Sequence, residues 1–195
     1  MRKGTFILVI GPTGSGKGTL MRHAMERIPE LVVPNSYTTR PPRQGDNVEG
    51  KHYCFVSVEE FETRRDNGEF LEWAKFGDNY YGTRREEVLE ALQSGKVLVK
   101  EIEVQGARQV RDLLPKEQLM IVYIDAGPWE ELARRARARA PITEEELAKR
   151  RQRYEDEITF KAEADKVIEN PDGGREDAQQ QFEQVLRGAL GRTAD

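Results

Sequence analysis

Nine residues, Gly11-Pro12-Thr13-Gly14-Ser15-Gly16-Lys17-Gly18-Thr19, constrain what this chain can become more than any other stretch. Before them runs Phe6-Ile7-Leu8-Val9-Ile10, apolar and β-branched, which reads as a short buried strand. After them Leu20, Ala24 and Ile28 recur at helical spacing. Strand, glycine-rich loop and helix form the context in which Gly-x-x-x-x-Gly-Lys marks a phosphate site rather than a tight turn with an N-cap. Glycines let the backbone curl with its N–H groups inward, the helix start adds the positive end of its dipole, and Lys17 adds a full charge. All three aim at the place where the β- and γ-phosphates of a nucleotide would lie. Gly18 stands where a Ser or Thr commonly follows the lysine, and Thr19 comes next.

An anion site here must be local, because the formal net charge of −4 gives no overall attraction to nucleic acid or to an anionic membrane. The single Cys54 excludes an intramolecular disulfide framework, and with two histidines a Cys/His zinc site has little to draw on. The first apolar run is too short for a signal peptide or a membrane span, so the expected compartment is the cytoplasm. Nothing in the sequence specifies an oligomeric partner.

The 195 residues fit one domain with small insertions. Apolar runs at 31–33, 69–76, 97–104 and 119–124 read as strands, with 166–169 as a short edge strand. Helical spacing covers 58–67, 84–93, 105–114, 129–139, 143–162 and 175–190. Residues 119–124 are the most apolar and suit a central strand. Alternating strands and helices predict an α/β fold of P-loop NTPase type, a mainly parallel sheet flanked by helices, with ligands at the carboxyl ends of the strands. Residues 191–195 read as a flexible tail.

A second anion site is suggested by Ser36-Tyr37-Thr38-Thr39-Arg40-Pro41-Pro42-Arg43, with Tyr53 shortly after. Two arginines separated by two prolines sit on stiff backbone, which holds guanidinium forks ready for a phosphate. Alone, such a segment is usually a solvated basic loop. It is followed, however, by Glu69-Phe70-Leu71-Glu72-Trp73 and then Asn79-Tyr80-Tyr81-Gly82-Thr83, an acid in an apolar run and a phenol and hydroxyl read as a turn. One of the two tyrosines is expected to pack in the core and the other to face the site.

Together with Ile102-Glu103-Val104-Gln105-Gly106, these stretches resemble the guanylate kinases in order and spacing along nearly the whole chain. The resemblance implies ATP-dependent phosphorylation of GMP, and of dGMP, in purine nucleotide metabolism, with Mg²⁺ accompanying ATP. It implies a core of about 1–34, 84–126 and 158–190, a GMP-binding subdomain of about 35–83 and a helical lid of about 127–157. The ATP phosphates would rest on Gly11 to Thr19, with Thr19 on the metal side, directly or through water. Guanine offers N1–H and N2–H₂ donors beside an O6 acceptor, so its pocket wants carboxylates and a hydroxyl. By position in the family pattern Glu72 and Glu103 would be those carboxylates, and Ser36 and Thr83 the hydroxyls. Arg40, Arg43, Tyr53 and Tyr81 would hold the acceptor phosphate.

Between Trp129 and Arg150 the basic residues include Arg134, Arg135, Arg137, Arg139, Lys149 and Arg150. Arg135 and Arg139 share a helix face. The resemblance makes Arg135, Arg139 and Arg150 lid arginines acting with Lys17 and Arg40 in catalysis, whereas Arg134 and Arg137 read as solvated. A triphosphate and a monophosphate together carry roughly six negative charges, so such cations are needed. The acceptor phosphate oxygen is already ionised at neutral pH, so no general base is required.

The chain departs from the family pattern at several points. Glu103 replaces an aspartate, Pro34-Asn35-Ser36 keeps only the second serine of Ser-x-Ser, and Asp46 replaces a glutamate in a segment one residue longer than usual. Ala140-Pro141 follows Arg139 in place of a glycine-threonine, and Lys100 interrupts an apolar strand, with pairing to an acid the one account the sequence offers for it. Two other readings stay open. A phosphopeptide-binding relative would be expected to degrade the glycine loop, which is intact here; a related kinase with another acceptor would exploit the changed Glu103.

Overall fold

The computed structural model describes residues 3–43, 46, 53–139 and 141–191, with the side chain of Arg139 excepted. Two compact units are present, residues 1–8 with 28–120 and residues 9–27 with 121–195, so the boundaries fall inside two strands.

Strand β1 (Thr5–Ile10) is buried from Phe6 through Ile10 on both faces, as expected of an inner strand. It takes its place in a four-stranded sheet with β6 (Val97–Glu101), β7 (Leu119–Asp125) and β8 (Lys166–Glu169), in the order β6-β1-β7-β8. β7 is thus an inner strand and β8 the edge, as the apolar content of each predicts; the two pair in parallel, Val122 opposite Lys166. Helices α1 (Lys17–Arg27), α2 (Val58–Asp66), α3 (Arg85–Gln93), α4 (Val104–Leu113), α5 (Trp129–Arg139), α6 (Glu144–Thr159) and α7 (Arg175–Ala189) begin and end within about three residues of the spans that helical spacing predicts. α6 starts where it does because Thr143 and Glu146 form a reciprocal capping box.

The strands of the first unit differ more from expectation. Residues 31–33 form only one parallel bridge, Val32 to Leu98. β6 stops at Glu101 because Glu103 is already the extended residue that begins α4. The polar segment after residue 34 contributes β2 (Ser36–Thr38) and β3 (Tyr53–Phe55), and the stretch read as a turn is strand β5 (Asn79–Arg84). With β4 (Phe70–Phe76) these build a second sheet in the order β3-β2-β5-β4, antiparallel except for β2–β3.

Candidate active site

The second sheet lines up the residues that the sequence analysis singled out. Ser36 is registered against Tyr53 on one side and Thr83 on the other, and Thr83 is registered against Glu72. Directly opposed residues share a face, so Tyr53, Ser36, Thr83 and Glu72 form one row across four strands. Tyr81, two residues before Thr83, points to the same face. Tyr80 points to the other, stacked on Phe61 of α2 with ring centroids 5.2 Å apart. This answers which tyrosine packs and which faces the row.

A bulge brings Glu72 into that row. Phe70 is opposite Arg84 and Glu72 is opposite Thr83, so Leu71 is the extra residue. Without it Phe70 and Glu72 would lie on one face. With it Phe70 stacks on Phe61, 4.5 Å between centroids, and Glu72 turns to the opposite side. Glu72 is 5% exposed, and its Oε1 accepts a hydrogen bond from the Thr83 hydroxyl. Burial holds its pKa above the usual carboxylate range, against the pull of the Lys100 charge and the Thr83 hydrogen bond, while Glu103 adds to the rise.

Helix α4 closes over this carboxylate. Gln109 clamps the edge strand, accepting from Trp73 N–H at 3.1 Å and donating to Trp73 O at 2.7 Å. This pairs an edge that would otherwise be open. A Cβ at Gly106 would strike Glu72 Oε2. In a helix, alanine gains about 1 kcal/mol over glycine, but overpacking costs about 1–3 kcal/mol. The collision therefore wins: Gly106→Ala is expected to lower the melting temperature and, by displacing Glu72, to raise about tenfold the KM of the ligand that the row binds. Thermal melts and steady-state kinetics check both.

Arg40 is the mounted guanidinium of the basic loop. It is 6% exposed and bidentate to Asp46, with N–O distances of 2.9 and 3.0 Å, and it also donates to Pro41 O at 2.8 Å. Its Cζ lies 5.2 Å from the Tyr53 ring centroid. The Asp46 hydrogen bond raises the Arg40 pKa, and the same bond lowers that of Asp46. Burial raises the pKa of the Tyr53 phenol. Arg43 differs: its side chain is exposed, and its backbone N–H donates to Asp46 Oδ2 at 2.5 Å. Glu103 sits at the N-cap of α4, half-buried.

In the second unit the glycine loop has the predicted form. Gly11, Gly14 and Gly16 have φ of 144°, 93° and 96°, a region open to glycine. A Cβ at Gly11 would meet Ile124 O, and one at Gly16 would meet Asn170 Nδ2. Lys17, 9% exposed, donates to Gly11 O and to Pro12 O at 3.0 Å. Ser15 is fully buried, and its hydroxyl has no hydrogen-bond partner among the described residues. An unpaired buried hydroxyl costs about 1–3 kcal/mol, so the loop is shaped for a polar ligand. Thr19 lies half-buried in the first turn of α1.

Asn170, which the sequence reading missed, stands at the end of β8 and is 7% exposed. Its Nδ2 donates to Ser15 O at 2.7 Å, and its backbone N–H to Asp125 O at 2.6 Å. The available signal was an Asn-Pro pair just past an edge strand, on the side of the sheet where ligands gather. Asn170 O in turn accepts from Arg135 at 2.9 Å, and Arg135 also binds Glu131 and Asp172, each at 2.9 Å. Arg134 and Arg137 are 60% and 53% exposed, as expected of solvated charges. Arg150 is half-buried on α6, whereas the Arg139 side chain, Ala140 and residues 192–195 lie outside the described residues.

Among the described residues no helix is long and apolar enough to cross a membrane. The family model for guanylate kinase matches residues 3–189. Over 169 residues the chain is 48% identical to the guanylate kinase of Nostoc sp. (strain PCC 7120), covering 87% of this chain and 83% of that one. It is 40% identical to that of Rubrobacter xylanophilus over 187 residues, 96% of this chain and 95% of the other. The crystal structure of guanylate kinase from Anaplasma phagocytophilum superposes with a TM-score of 0.74 at 27% identity, over 97% of this chain and 86% of that one. A row of Glu72, Thr83, Ser36 and Tyr53, an intact glycine loop and a match over nearly the full length lead to one conclusion: the chain belongs to the guanylate kinase family of phosphotransferases.

Proposed function

We propose that the enzyme transfers the γ-phosphoryl group of ATP to GMP, giving ADP and GDP, through the residues aligned above. The observation that carries the assignment of the acceptor is the four-strand row, which supports a carboxylate and two hydroxyls facing one base edge. On this reading Glu72 accepts from guanine N1–H and N2–H₂, with Glu103 as the second carboxylate. Ser36 and Thr83 serve the remaining polar edge, and Arg40, Arg43, Tyr53 and Tyr81 hold the GMP phosphate. A guanidinium already mounted on Asp46 needs little reorganisation when it meets a phosphate.

The loop from Gly11 to Thr19 holds the ATP phosphates. Its inward N–H groups and the Ser15 hydroxyl bind oxygens, and Lys17 exchanges its loop carbonyls for the β- and γ-phosphates. Guanylate kinases use ATP with a divalent metal. The oxygen chemistry of the site suits Mg²⁺ delivered with the nucleotide, with Thr19 on its side directly or through water. When bound, Mg²⁺ neutralises phosphate charge. Arg135, Arg139 and Arg150 of the lid balance charge on the moving phosphoryl group; Arg135 would leave Asp172 and Glu131 to do so. The GMP phosphate attacks in its ionised form, so the protein contributes positioning and charge rather than a base.

The division into a core, a GMP-binding subdomain of 35–83 and a lid of 127–157, and a cytoplasmic site of action, belong to the same proposal. A coupled ADP-release assay with GMP, dGMP, AMP, CMP and UMP is its test. Turnover is expected with GMP and dGMP, with AMP lower by about 10⁴-fold in kcat/KM. Turnover with AMP alone overturns the acceptor, and turnover with none of the five overturns the reaction.

A further inference from the structure

Lys100 has no part in the reaction as described, yet it is a charged residue within β6 and only 5% exposed. In place of the acid that the sequence offered, the folded chain gives it carbonyls. Its ammonium donates to Pro34 O at 3.0 Å and to Asn35 O at 2.7 Å. Charge-assisted bonds of this kind are roughly twice as strong as neutral ones, and without them a buried ammonium would be costly.

Pro34 explains why a side chain is needed there. Val32 pairs with β6 through its backbone, donating to Val97 O at 3.0 Å and accepting from Val99 N–H at 2.9 Å. The next step of a parallel ladder would take an N–H from residue 34, which a proline lacks. The backbone pairing is therefore a single bridge, and Lys100 takes hold of the segment where it ends. From the other side Glu87 of α3 accepts from Asn35 N–H at 3.1 Å and from the Asn35 side-chain amide at 3.4 Å.

These contacts fix two successive peptide planes. The plane between Pro34 and Asn35 is held at its oxygen by Lys100 and at its nitrogen by Glu87, and the plane between Asn35 and Ser36 is held at its oxygen by Lys100. The backbone nitrogen of Ser36 belongs to that second plane, and Ser36 enters β2 opposite Tyr53 and Thr83. A row that reads a base edge needs its hydroxyls within about 0.5 Å of the productive position. We infer that Lys100, with Glu87, is a specificity-determining positioning residue: the two clamp the Pro34-Asn35 segment and so set the Ser36 hydroxyl in the row that receives the acceptor base. The inference rests on the reading of Ser36 as a base contact.

Lys100→Met keeps most of the apolar stem and removes the donors. Its KM for GMP is expected to rise about tenfold, with kcat within about threefold and KM for ATP within about twofold. Ser36→Ala should raise KM for GMP by a similar factor. Adding Lys100→Met to Ser36→Ala should then raise it by no more than about twofold, since a hydroxyl that is gone cannot be misplaced. The same factor for Lys100→Met in both backgrounds makes Lys100 only a strut of the fold and overturns the inference. So does an unchanged KM for GMP, with or without a lower melting temperature, and so do equal rises in KM for the two nucleotides. Should Lys100→Met not fold, the half-buried Glu87 decides. Glu87→Ala is expected to raise KM for GMP about threefold, an effect that vanishes in the Ser36→Ala background, and an unchanged KM overturns the inference. The two readings fail separately. If Ser36→Ala leaves KM for GMP unchanged, the assignment of Ser36 falls and the inference with it; if Ser36→Ala raises it and Lys100→Met does not, only the clamp falls.

Discussion

Lys17→Ala is expected to lower kcat by about 10³-fold or more, equivalent to ~4 kcal/mol of transition-state stabilisation, while leaving the fold intact. The magnitude follows from the position of the charge. Lys17 is the cation of a glycine loop whose other donors, the backbone amides and the Ser15 hydroxyl, are neutral, so none of them replaces its charge. Stability should change little. Lys17 is 9% exposed, and its ammonium is satisfied by carbonyls of its own loop, at Gly11 and Pro12, which can turn to water once it is gone. Circular dichroism and a thermal melt check the fold, and ADP release at saturating ATP and GMP checks the rate. A variant turning over at near-normal speed would remove the loop from the mechanism.

The second large effect is expected at Glu72. Glu72→Gln puts an amide donor against guanine, which already presents two donors on that edge, so kcat/KM for GMP should fall by about 10³–10⁴-fold. KM for ATP should stay within about twofold, because Glu72 is assigned to the acceptor base and makes no contact with the ATP phosphates on this reading. The substitution is nearly isosteric, so the Thr83 hydroxyl keeps an oxygen acceptor and Gly106 keeps its clearance. Varying each nucleotide at saturation of the other measures this. Equal losses for both nucleotides mean that Glu72 supports the sheet rather than reading the base.

Both effects concern residues legible before any coordinates, for different reasons. The glycine loop is local: its turn, its positive φ values and the helix start that follows are encoded by residues adjacent in sequence. The GMP-side residues were legible only as a resemblance, because they lie tens of residues apart and no periodicity connects Ser36 to Glu72. Three of the strands that align them are polar or short. β2 and β3 have three residues each, and β5 reads Asn-Tyr-Tyr-Gly-Thr-Arg, which local preference assigns to a turn. Pairing with neighbours overrode that preference.

Other decisions were tertiary throughout. The bulge at Leu71 that turns Glu72 away from Phe70 depends on cross-strand register, which a single strand does not carry. Asn170 meets Ser15 across 155 positions of sequence, and Lys100 finds its carbonyls 65 and 66 positions back. The sequence by itself determined the α/β alternation, the phosphate loop and the family, because these rest on short-range spacing and on motif order. Only the folded chain decided which tyrosine faces the row, that Arg40 is mounted while Arg43 stays exposed, and that the buried Lys100 ammonium meets two carbonyls beside Ser36. Burial and electrostatic coupling are properties of neighbours in space, and hydrophobic periodicity reports only on neighbours along the chain.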